Sequence, residues 1–117
     1  MITKDGKFNI VVFDNGENYE LIASPTDERD VPFVLDYFVT KDEAERIVPH
    51  FVACYNIAIE EGFSLDWKEE WGGPYFRNPI EGEANVYVDD ALVPDEQSAE
   101  QFGVFVRGVL GIPKQVQ

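Results

Sequence analysis

A chain of 117 residues with 44% hydrophobic and 14% aromatic side chains can bury one core without disulfides and is too short for two, so a single domain spanning 1–117 is expected. Its formal charge of −14, from 23 acids against 9 bases, repels nucleic acid and anionic lipid and attracts basic surfaces, which argues against direct DNA, RNA or membrane binding. One cysteine, Cys54, allows no internal disulfide, MITKDGKFNI carries no apolar secretory run, and the longest apolar window, IVPHFVACYNIAI, is about thirteen residues against the roughly twenty of a membrane span; a soluble, cytoplasmic protein is expected.

KFNIVVFDNGENYELIAS reads as a hairpin: two runs of β-branched and aromatic residues flank residues 14–17, where Asn15-Gly16 suits a tight primed turn. VPFVLDYFV predicts a third strand, placed centrally because Phe33, Leu35 and Tyr37 on one side and Val34 and Phe38 on the other leave both faces largely apolar. Thr40 and Glu43 have the spacing of a capping box, and Ile47, Val48, Phe51, Tyr55, Ala58 and Ile59 keep helical spacing through Pro49, so one kinked helix ending at Gly62 is expected.

FSLDW predicts a short strand and ANVYVDD a later one. Between them, WKEEWGGPYFRNPIEGE, residues 67–83, shows neither helical nor strand spacing and reads as an irregular loop. A competing reading makes DWKEEW one helical turn that tucks Trp67 and Trp71 into the core. After Pro94, Asp95 is the expected cap of a second helix with Ala99, Phe102, Phe105, Val106, Val109 and Leu110 inward and Pro113 as its stop, with a strand at VFV as the competitor. Gly103 and Gly108 would each cost such a helix about 1 kcal/mol. The order predicts an α+β fold: a mainly antiparallel sheet of about four strands with two helices packed on one face.

Phosphate-binding glycine loops, nucleophile elbows and metalloprotease or calcium-loop signatures are missing from the sequence, so neither enzyme chemistry nor a cofactor is expected. His50 and Cys54 lie one helical turn apart, yet no other histidine or cysteine exists to complete a metal site. The pairs Glu60–Glu61, Glu69–Glu70 and Asp89–Asp90 could serve as acid and base, but in so acidic a chain they read as a solvated surface.

Residues 60–100 hold 12 acids against two bases, a net of −10, so the acidic region and the aromatic stretch coincide. Trp67, Trp71, Tyr75, Phe76 and Arg77 have the chemistry of interface hot spots, and Glu69, Glu70, Glu81 and Glu83 would rim them for a basic partner. The expected function is a non-enzymatic inhibitor that covers a basic, nucleic-acid-binding surface of another protein. In size, acidity and lack of catalytic motifs the chain resembles small phage-encoded inhibitors of bacterial defence, such as anti-CRISPR proteins and restriction-enzyme decoys, and also toxin immunity proteins. That resemblance is compositional and assigns no residue a role. The alternatives are a self-associating assembly component, with a homodimer as its simplest form, and a small ligand-binding domain or enzyme with a pocket near Trp67, Trp71 and Tyr75.

Overall fold

The computed structural model describes residues 1–110. Strands β1 (Phe8–Asp14) and β2 (Tyr19–Pro25) form the expected hairpin, in which alternation turns Ile10, Leu21 and Ala23 inward. Its turn differs from the tight primed form. Asp14 pairs with Tyr19, leaving a four-residue loop of Asn15, Gly16, Glu17 and Asn18 in which Gly16 alone has positive φ, at 92°. Side chains hold this loop: Asn15 Oδ1 accepts from the amides of Glu17 and Asn18 at 2.9 and 2.8 Å, and Asp14 Oδ1 from Gly16 at 2.9 Å.

Strand β3 (Phe33–Phe38) pairs antiparallel with β2, and the sheet order β1-β2-β3 puts β3 at an edge, not at the centre. Its two apolar sides are explained by a second sheet lying beside it. That sheet consists of β4 (Ser64–Lys68), β5 (Gly73–Arg77) and β6 (Val86–Tyr87), antiparallel in the order β4-β5-β6. The class is α+β as expected, but the strands form two three-stranded sheets where one sheet of about four was anticipated. The extra strand is β5, inside the stretch read as irregular: Leu65 pairs with Phe76 and Phe76 with Val86, cross-strand ladders that the local Gly-Gly-Pro conceals.

Helix α1 (Lys41–Glu60) runs unbroken through Pro49. Thr40 Oγ1 accepts from the Glu43 amide at 3.2 Å, the first half of the capping box, while the reciprocal glutamate bond does not form. Helix α2 (Ala99–Val109) starts later than expected. Ser98 is its cap, in a full box with Gln101 (2.9 and 3.1 Å), while Asp95 lies in a preceding turn and pairs with Arg46 at 3.1 Å through both carboxylate oxygens. The VFV segment is helical, Phe102 and Val106 are buried, and Phe105, expected inward, is exposed on the flank. Gly103 offsets its propensity cost through packing: a Cβ there would meet Ile57 Cγ2 at 3.2 Å, so the glycine lets α2 approach α1 closely. The predicted stop at Pro113 lies outside the described residues.

α1 packs against all three strands of the first sheet and against α2, and the core lies between them. Phe76 is its hub, with ring centroids 6.1 Å from Phe51, 6.3 Å from Tyr55 and 6.0 Å from Phe102. The N-terminal segment is tied to α1 through Asp5, which accepts from Tyr55 Oη at 2.8 Å and from Thr3 Oγ1 at 2.7 Å. Among the described residues, no helix is long and apolar enough to cross a membrane.

Candidate partner-binding groove

The two sheets do not close against each other along their whole length. Between them lies an open groove of about 740 Å³, walled by residues 31–37 at the β3 edge, Trp67 of β4, the 72–74 turn and Asp89. Trp67 belongs on the inward side of its sheet, since it alternates with Leu65, but it sits beyond the end of the core. Its indole instead leans on the hairpin turn. Gly73, at φ 122°, leaves room for it: a Cβ there would lie 3.3 Å from Trp67 Nε1. Trp67 remains 49% exposed and faces a groove that also bears Tyr37, 55% exposed, on the β3 side.

The sequence-derived site residues divide among four environments. Trp67 stands at the groove. Glu69, Glu70 and Trp71 form a 3-10 turn at its lip, with both glutamates exposed and Trp71 half-buried, so DWKEEW is a strand end plus a short turn and not one helical turn. Tyr75 and Phe76, expected in a surface loop, are buried on the central strand β5, Phe76 in the core and Tyr75 on the opposite face. Trp71 roofs Tyr75, stacked at 5.3 Å and 16°, and touches Tyr87 at 5.6 Å. Burial leaves Tyr75 and Phe76 no surface to offer. Arg77, Glu81 and Glu83 line a separate, more polar hollow with Lys68, away from Trp67, and Arg77 pairs with Asp66 at 3.6 Å.

Other residues join Trp67 where sequence reasoning had not looked. Phe33 and Tyr37 line the groove with Trp67, while a separate, smaller hollow of about 190 Å³ shares Leu35, Gly72, Pro74 and Asp89 with it and is lined by Trp71 and Tyr87. The residues that escaped notice are those of β3 and Asp89. Their sequence signal was the two-sided apolar pattern of VPFVLDYFV, which a strand beside a groove shares with a central strand.

The charges at the groove wall are two carboxylates, Asp36 and Asp89, with no basic residue among the described lining. Elsewhere six bases, including Lys4, Arg46 and Arg107, are committed to exposed, solvent-screened ion pairs with acids. Asp90, beside Asp89, is held above the usual carboxylate range by burial and by its neighbour's charge. The charged lining of the groove is thus wholly acidic.

His50 and Cys54 do face each other on α1, Sγ to Nε2 at 3.5 Å. Burial lowers the imidazole's pKa and pushes the thiol up to about 12, which disfavours the thiolate a metal or an electrophile requires. Among the described residues no third histidine, cysteine or carboxylate joins them as a possible ligand. Comparison of the whole chain with family models, with curated proteins and with solved structures finds no significant match.

Proposed function

We propose that this chain is a non-enzymatic, acidic protein-binding module that occupies a basic, nucleic-acid-binding surface of another protein and thereby inhibits it. One observation carries the reading: the exposed rings of Tyr37 and Trp67 line an open groove whose wall charges, Asp36 and Asp89, are both negative. Rings of this kind supply affinity when water is excluded, and the carboxylates supply preference for a cationic partner and speed its encounter. The groove lining favours binding over catalysis in that its polar side chains are Asp36, Asp89 and Tyr37 alone, with no histidine, cysteine, serine, threonine or lysine beside them to complete a nucleophile–base pair. The remaining acids, at −14 overall, add a long-range field that phosphate-binding surfaces would meet as they meet nucleic acid. A cytoplasmic setting belongs to the proposal, as does the kinship in role with phage-encoded inhibitors and immunity proteins that the composition suggests.

The test is competition. Purified nucleic-acid-binding proteins with basic clefts are titrated with the chain at low and at high salt, and duplex DNA or RNA is then added. The reading expects complexes that weaken steeply with salt and that nucleic acid displaces. Complexes indifferent to both, or a chain whose size on a column rises with its own concentration while it ignores every basic protein, would replace this reading with that of a self-assembling component.

A further inference from the structure

The groove has the form of a vacant strand position. Side chains along a strand alternate between faces, so a hollow against one face of β3 would touch every second residue. All seven residues 31–37 line it instead, which means the groove runs along the backbone edge. That edge is the free one of its sheet. The other outer strand, β1, is covered by the N-terminal segment: Ile10 N–H donates to the Met1 carbonyl at 2.8 Å, Thr3 N–H to the Phe8 carbonyl at 2.9 Å, and Ile2 bridges to Asn9. Among the described residues no strand pairs with β3 on that side, and β5 of the second sheet approaches it without a shared ladder.

At the edge, the Tyr37 amide is met by the carboxylate of its own neighbour, Asp36 Oδ1, at 2.8 Å. An incoming carbonyl could take over that donor and release Asp36 to face a cation on the same incoming strand. A second copy of the chain is a poor occupant. Pairing two β3 edges would bring together two grooves whose charged lining is wholly acidic in molecules of charge −14, and the irregularity in β3 at Leu35, opposite Leu21 and Ile22, further discourages edge-to-edge association.

We propose that the free edge of β3 takes up an extended, lysine- or arginine-bearing segment of the partner as a fourth strand of its sheet. Trp67 and Tyr37 would grip the segment's apolar side chains and Asp36 and Asp89 its cations. This rests on the acidic-dock reading above and adds to it the mode of recognition: main-chain hydrogen bonds give affinity, and pockets for alternate side chains give choice. Seven residues at about 3.3 Å each make a track of roughly 20 Å, enough for a segment of similar length.

The experiment titrates the ¹⁵N-labelled chain with a synthetic peptide of alternating lysine and valine that matches the track. Two analogues accompany it, one with alternate backbone amides N-methylated and one with glutamate in place of lysine. Expected are shifts concentrated at the amides of residues 31–37 and at the Trp67 indole, slowed exchange of the Tyr37 amide, and at least about tenfold weaker binding of both analogues. Equal binding of the N-methylated peptide would overturn strand addition while leaving the acidic dock standing. Strand addition is overturned in the same way if lysine peptides shift only other surfaces, or none, while basic proteins still bind the chain. Failure of every basic peptide and protein alike would remove the dock itself, and dimerisation through residues 31–37 would hand the edge to a second copy.

Discussion

Trp67 and Phe76 lie on neighbouring strands of one hairpin, on the same side of the sheet, and meet opposite fates. Phe76 is fully buried at the centre of an aromatic cluster drawn from α1 and α2, whereas Trp67, one pair of residues further along β4, overhangs the end of the core and is half exposed. Ring chemistry does not separate them; position does. Where helices cover the second sheet its inward rings become core, and where they do not the same row of rings becomes the wall of a groove. Scaffold and candidate binding surface are thus two ends of one apolar stripe.

The sharpest way to break this contrast is to truncate each ring in turn. Phe76→Ala removes a ring packed on Phe51, Tyr55 and Phe102 and should cost about 3–5 kcal/mol, read as a lower urea midpoint. Trp67→Ala should leave stability within about 1 kcal/mol of the parent, since its ring is half exposed and outside the core cluster, yet weaken partner binding by about 2 kcal/mol or more. Acrylamide quenching sharpens the same point without a partner: Trp67 should be quenched readily and Trp71, stacked on Tyr75, much less. A Trp67→Ala variant that unfolds like Phe76→Ala would place Trp67 in the core and dissolve the distinction.

Part of this was legible in the sequence. Alternation around Asn15-Gly16 reveals the β1–β2 hairpin, and the spacing from Ala44 to Ile59 reveals α1 even across Pro49, because both signals are local. β5 was not legible. Gly72, Gly73 and Pro74 carry the signature of a loop, and only the pairing of Phe76 with Leu65 and Val86 on the flanking strands makes a strand of this segment. The same holds for β3, whose apolar pattern cannot tell a neighbouring strand from a groove beside a second sheet. Of the candidate site, the sequence supplied Trp67 and the acidic turn, which local composition marks. It also supplied Tyr75 and Phe76, which burial removes from any surface, and omitted Tyr37 and Asp89, which only the tertiary arrangement brings to Trp67.

The smallest effect concerns the scaffold end and its response to pH. Burial alone would raise the Asp5 pKa, but bonds from Thr3, the Lys7 amide and Tyr55 outweigh it and leave the carboxyl below its ordinary range. A depressed carboxylate stabilises the fold above its unfolded pKa, and that contribution is lost as pH falls through the folded value. Tyr55, raised by burial and then by Asp5, behaves in the opposite sense: its contribution is complete below the unfolded phenol pKa of about 10 and is lost as pH rises beyond it. One hydrogen bond therefore shapes both limbs of the stability profile. Tyr55→Phe should cost about 1 kcal/mol at neutral pH, because Asp5 keeps its other two donors. It should also flatten the loss of stability above pH 10, while the groove, which contains neither residue, binds its partner as before. A variant that lost partner binding at neutral pH while remaining folded would mean that the scaffold end and the groove are coupled and that the division between them is false.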